Sequence, residues 1–399
     1  MTKAEPATKY GLVSLSNPAI LHPRYVALDS SHLADLADDW SARNSTRHDR
    51  AATFQAAFDA SGCVLLLTWH HLQELLGHGN EEKISACMAF IRSLPMVGLL
   101  RSHVDEASPG SVIDLQAREV KAAFDESAAS LVGVRDLAAA SMIRLESGEA
   151  TIRPIIETWS ILKPEFQRQA KKARETVAIS RSNFTGMEGV RVREMLDGTI
   201  CNPGEIQERM QRLFDDLSRD IGSRGDARIQ NPDLAAAGFI MDVRRMGGNP
   251  VNARQFGLAL LKAQGVDETE IDDDTTVDDV GRLAQFRRHL EIVNRSVGLP
   301  WPELKARVSM ERLPSTVIGN AIEQFRPDTK RWNGSDLNDR YLATLAAYAD
   351  ITFVDKRTHE ALTQAHRKLP ALAPILRRIE KTGDYTAITG QLHGNLSPN

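Results

Sequence analysis

Continuous apolar runs and helix-spaced apolar positions alternate over the first hundred residues of the chain. Residues 25–28 and 64–67 are short, wholly apolar runs, the pattern of strands covered on both faces. Residues 32–39 and 49–59 read as helices, separated by the polar stretch 41–47. A helix starts at 72–76, and another covers 84–91 and ends before Leu94-Pro95. Residues 350–355 carry a third strand run, Ile351-Thr352-Phe353-Val354, bounded by Asp350 and Asp355. The pattern between 118 and 323 is different. It holds helical segments at 153–160, 164–179, 203–221, 232–246, 251–263 and 277–297, with few strand candidates. Prolines at several of these starts suit a first helical turn. Gly247-Gly248-Asn249-Pro250 reads as a turn, and the acidic linker 267–274 as a solvated loop. Residues 1–20 form a polar lead-in.

These elements predict an α/β domain with a mainly parallel central sheet flanked by helices, interrupted by a large all-α insertion. The first part of the domain covers 1–115, the insertion 116–325 and the second part 326–399. Three sequential domains would leave the first part with too few strands to close a sheet, whereas surface-loop insertions are tolerated.

Composition narrows the functional classes. The 399 residues carry 49 basic and 53 acidic side chains, a net charge of −4, so any nucleic-acid surface must be a local patch. Cys63, Cys87 and Cys201 are scattered and form no C-x-x-C pair, so neither a structural zinc site nor a disulfide framework is indicated. No apolar run reaches the ~18 residues of a membrane span. The expected location is the cytoplasm of a prokaryote. There is no G-x-x-x-x-G-K-[ST] loop and no G-x-S-x-G elbow, which argues against ATP-driven or serine-hydrolase chemistry. His70-His71 lacks the H-E-x-x-H order of a zinc protease helix and reads as a packed pair.

The candidate chemistry lies in acids at the two far ends of the chain. Asp29 directly follows the run Tyr25–Leu28, with Ser30 and Ser31 after it. Glu74 follows the second strand, one turn into a helix among Leu72, Leu75 and Leu76. Asp339 opens a helix, with Asp336 three residues before it as its cap or a water-mediated contributor, and Asp355 ends the third strand. Parallel strands bring their carboxyl ends to one sheet edge, where ligands bind. Clustered carboxylates repel unless a cation lies among them, and oxygen donors select Mg²⁺ or Mn²⁺. Metal-assisted phosphodiester hydrolysis follows from such a set. The structural alternatives are an N-cap for Asp29 and a surface or His-paired role for Glu74.

The order strand-Asp, strand-helix-Glu, helix-opening Asp, strand-Asp resembles the PIN-like nuclease domain. The strings L-D-S-S-H-L, E-L-L and S-D-L-N-D-R-Y-L-A-T-L-A-A-Y-A-D-I-T-F-V-D-K-R carry the likeness, over residues near 20–115 and 330–392. Phe353 stands where the family often has Thr or Ser two residues before the last Asp. The resemblance implies a Mg²⁺- or Mn²⁺-dependent endonuclease with Asp29, Glu74, Asp339 and Asp355 as catalytic ligands, and RNA as substrate. A structure-specific DNA nuclease and a non-catalytic interaction module of the same fold are the alternatives.

Arg168, Lys171, Lys172 and Arg174 form the densest basic run and are the candidate nucleic-acid contacts. Arg181, Arg191 and Arg193, and then Arg244, Arg245, Arg254, Arg287 and Arg288, are further basic sets. A solvated helix face would have the same composition. The insertion equally offers a surface for a second copy of the chain or a regulatory protein partner.

Overall fold

The computed structural model describes residues 23–103, 108–125, 130–182, 189–197, 203–248, 252–327 and 333–392. Six strands form one sheet: β1 Arg24–Ala27, β2 Cys63–Leu67, β3 Val97–Leu100, β4 Ile143–Glu146, β5 Ile351–Phe353 and β6 Arg378–Glu380, in the order β4-β3-β2-β1-β5-β6. All neighbours are parallel except β3 and β4. The register pairs Val26 with Ile351 and Ala27 with Thr352. Asp350 fixes that register by accepting the Tyr25 N–H at 2.7 Å.

The sheet is covered on both faces, and side chains divide between them with the period of two that a pleated strand imposes. Val26, Leu28, Leu65, Leu67, Val97, Leu99, Ile351 and Phe353 share one core with the helices Ser30–Trp40, Ser45–Ala60 and Glu81–Ser93. Ala27, Leu66 and Leu100 join the other, with the helices Val112–Phe124, Pro314–Phe325 and Lys356–Lys368. All five residues of β2 are buried, as a central strand in such a sandwich requires.

The predicted all-α insertion at 116–325 needs correction. β4 lies inside it and closes one sheet edge. The Val112–Phe124 and Pro314–Phe325 helices belong to the sheet's own core, since Leu115, Val120, Ile318 and Ile322 are buried there. β4 escapes the sequence pattern because Ile143-Arg144-Leu145-Glu146 is an edge strand with no fully buried residue. The true helical lobe is smaller. Two long helices reach it from the sheet domain. Trp159–Arg181 buries Phe166 against the sheet and Val177 and Ala178 in the lobe. Val277–Val297 buries Val280 and Ala284 in the lobe, and Phe286, Leu290 and Val293 against the sheet. The helices Pro203–Arg224, Pro232–Gly247 and Ala253–Ala263 lie between them.

The acidic linker 267–274 is solvated as expected, with Asp267, Asp273 and Asp274 57, 76 and 87% exposed, and it also carries ion pairs. Asp267 and Glu270 pair with Lys305, Glu270 with Arg287 at 2.7 Å, Asp274 with Arg191 at 3.1 Å, and Asp273 with Arg193. Cys63 and Cys87 are buried and free. Residues 1–20, Cys201, Asn249, Pro250 and Val251 lie outside the described residues. Among the described residues no helix is long and apolar enough to cross a membrane.

Candidate functional site: a carboxylate crevice at the sheet edge

The order of strands places a crevice between β1 and β5. From β1 the chain moves outward to β2 and β3, whereas β5 and β6 lie on the other side. The helix after β1 packs on one face and the helix after β5 on the other. Such a switch point leaves an opening at the strands' carboxyl ends. Asp29 and Asp355 stand there, two and three residues beyond the paired Ala27 and Thr352.

Both are helix N-caps, so the structural alternative and the site position hold together. Asp29 Oδ1 accepts the Ser31 N–H at 2.8 Å and the Ser31 hydroxyl at 2.5 Å. Asp355 Oδ1 accepts the N–H groups of Arg357 and Thr358 at 2.7 and 3.2 Å, and its Oδ2 accepts the Thr358 hydroxyl at 2.5 Å. Capping fixes each carboxylate at the mouth of the crevice.

Glu74 projects from the helix Trp69–Leu76, which the His71 imidazole locks to β1. His71 Nδ1 accepts the Thr68 N–H at 3.1 Å, and Nε2–H donates to the Leu28 carbonyl at 2.9 Å. Burial pushes His71 down to about 4, so the ring stays neutral and keeps that tautomer. The anchored carbonyl immediately precedes Asp29. His70 is a packed residue too. It accepts the Val112 N–H at 3.1 Å and lies against Tyr341, with ring centroids 4.9 Å apart.

Asp339 comes from the helix Ser335–Ala343 that leads into β5. It sits in the second turn rather than opening the helix, because the helix starts four residues earlier. Burial, and then the charges of Asp355, Glu74, Asp29 and Asp336, push its carboxyl up to about 9. The other four predicted acids are thus near enough to act on Asp339. Glu74 is raised for the same reasons, by burial and by Asp29, while Ser30 and Asn338 stand close enough to pull it back. Yet Glu74 Oε2 and the Ser30 hydroxyl are buried without a well-formed hydrogen bond among the described residues.

Asp336 differs from the other four. It is buried at 2% exposure and held by Arg326 at 2.6 Å and Arg357 at 3.1 Å, with Arg181 at 3.9 Å. Three guanidiniums make it an ion-pair anchor beneath the crevice. Arg357 also reaches Asp355 at 3.7 Å, and so joins the anchor to the site.

The donor set, all carboxylate oxygen with an orphaned Glu74 Oε2, fits a hard divalent cation in its chemistry. Its geometry is open: among the described residues no three His, Cys, Asp or Glu side chains are arranged to grip one ion.

The basic residues separate. Arg168 is 73% exposed and paired with Glu165 at 2.8 Å, and Lys171 lies 4.0 Å from Glu175. Lys172 lines a cavity of ≈ 1090 Å³ in the helical lobe, whose lining includes none of the five predicted acids. Arg174 alone of the four borders Glu74, in a pocket of ≈ 180 Å³. Arg181 is a half-buried and Arg287 a buried ion-pair partner, and Arg245, Arg254 and Arg288 pair with Asp242, Glu268 and Glu291. Sequence reasoning missed Asn338, the Asp226–Arg228 loop and the guanidiniums of Arg326 and Arg357. Only Arg357 carried a signal, from its place after Asp355.

No family model matches this chain, and no curated protein or solved structure matches it either.

Proposed function

We propose that the chain is a divalent-metal-dependent nuclease of PIN-like type, acting on RNA. The observation that supports it is the raised Asp339 carboxyl, which has the four other acids as its sources of charge besides burial. A site so acidic is unfavourable when empty and is relieved by a cation. Asp29, Glu74, Asp339 and Asp355 would hold Mg²⁺ or Mn²⁺. Bound there, the ion would lower the pKa of an attacking water and offset phosphate charge.

The chain's own residues prepare the site. Asp29 and Asp355 are fixed by their caps, and Asp29 also by the His71–Leu28 anchor. Asp339 holds a proton at neutral pH and must release it for a cation to enter. Asp336, neutralised by its arginines, sets the position of the Asp339 helix. RNA rather than DNA rests on the family resemblance alone.

The open geometry favours a second reading, a PIN-like module that has kept the fold for protein interaction without catalysis. Cleavage of labelled single-stranded RNA and DNA, side by side with Mn²⁺ or EDTA, separates the readings. Mn²⁺-dependent cleavage of RNA is expected. Cleavage of DNA alone supports a structure-specific DNA nuclease, and no cleavage of either supports the module.

A further inference from the structure

A cluster of carboxylates repels the polyanion it would cleave, so the substrate strand needs cationic contacts nearby. The pocket beside Glu74 supplies them. Glu74, Asn338, Gly334, Arg174 and Arg228 all line it. We propose that this pocket holds a phosphodiester group of the substrate strand next to the one at the carboxylates. Arg174 and Arg228 are its guanidinium donors, and Asp226 is the positioning residue for Arg228. The ligand's identity rests on the nuclease reading; the pocket's geometry does not.

Arg228 is preset for this role. Its Nε and one terminal nitrogen donate to Asp226 at 2.9 and 2.7 Å. Asp226 is 5% exposed, and its carboxylate is fixed further by the Gly334 N–H at 3.1 Å. Hydrogen bonds from Arg228 hold Asp226 well below the usual carboxylate range, so the clamp persists at working pH. The guanidinium is therefore oriented by one edge while the side chain stays 66% exposed. Preset donors lose little entropy on binding an oxyanion.

Arg174 supplies the second donor from the helix Trp159–Arg181. Its stem packs so closely on Gly334 that a Cβ there would lie 2.3 Å from Arg174 Cγ. Its Nε is buried and has no hydrogen-bond partner among the described residues. A second hollow of ≈ 280 Å³ continues from the same two arginines toward Asn231, away from Glu74. The strand thus has a way out along the helical lobe.

The test is binding of a short fluorescein-labelled single-stranded RNA, and of DNA of the same sequence, to the full chain in EDTA over a salt series. Arg174→Met keeps the stem that packs on Gly334, and Arg228→Gln leaves the backbone bonds to Asp226. Each should weaken binding about tenfold and reduce the slope of log K against log salt by about one. Asp226→Asn should reproduce part of the Arg228→Gln loss. Arg168→Gln, on an exposed part of the same helix, should change neither quantity. The losses are expected on RNA and DNA alike, because the phosphate is common to both. Losses on neither or on one only, losses matched by Arg168→Gln, or no binding by the native chain would overturn the proposal. Arginine-dependent binding without any Mn²⁺-dependent cleavage would keep the pocket and remove the nuclease reading. Cleavage with binding indifferent to both arginines would do the reverse.

Discussion

Replacing Asp339 by Asn should stabilise the protein in the absence of divalent cations. Burial and four neighbouring carboxylates raise Asp339 from 3.8 to about 9. Its folded-state pKa thus exceeds the unfolded one, and the folded chain binds the extra proton between those values. Stability from this group is full below about 4 and falls as pH rises toward about 9. At pH 7 the gap from the unfolded value is about three pK units, at about 1.4 kcal/mol each, so the loss is about 4 kcal/mol. Asn has nearly the same shape and no charge, so Asp339→Asn should recover about 2 to 4 kcal/mol at pH 7. Urea unfolding in EDTA at pH 5, 7 and 9 measures it, with the gain growing as pH rises. Added Mn²⁺ should stabilise the native chain, because it binds only the folded state, and should do little for the variant. A variant no more stable than the native chain at pH 7, with the same pH slope, would refute the idea that the carboxylates converge on Asp339.

Other expectations follow from the same structure. Asp29→Asn should abolish Mn²⁺-dependent RNA cleavage while leaving urea stability in EDTA level or higher; full activity would move the active site elsewhere. His71→Ala removes the tie between the Trp69–Leu76 helix and the Leu28 carbonyl and leaves a cavity, so unfolding free energy should fall by about 2 to 4 kcal/mol. Glu119, buried against Ser315 and Tyr348, is raised by burial from 4.5 to about 7, so its contribution is lost as pH rises through that window. Glu119→Gln should flatten the stability curve between pH 5 and 8 and recover about 3 kcal/mol above it. Unlike the Asp339 term, that change should be nearly complete by about pH 8.

The sequence showed β1, β2 and β5 and both strand-ending acids, for one physical reason, whereas the four-residue β3 with Gly98 in it went unread. β2 and β5 are buried throughout and β1 in its second half, so each carries a largely apolar run, and an acid at the end of such a run stands out. β4 and β6 are edge strands whose charged residues, Arg144, Glu146, Arg378 and Glu380, hide them in a polar background. The extent of the insertion was misread because helices that cover a sheet and helices that form a separate lobe share one periodicity. Only the cores, with Phe166 on one side and Val177 on the other end of a single helix, tell them apart. Asp339 was read as the ligand and Asp336, three residues before it, as a cap or water-mediated contributor. What separates them is a set of arginines at 181, 326 and 357, distant in sequence and adjacent in space. The run Arg168–Arg174 was dense for the same reason that most helix faces are: Arg168 and Lys171 answer Glu165 and Glu175 on their own helix. The pocket arginine at 228 belongs to a D-A-R loop that no periodicity marks.

Anomalous diffraction from crystals soaked in Mn²⁺ tests the central claim most directly. A peak is expected in the crevice between β1 and β5, bounded by Asp29, Glu74, Asp339 and Asp355, with Asp336 still held by its arginines. An empty crevice at saturating Mn²⁺, or a peak only at other acids, would contradict it.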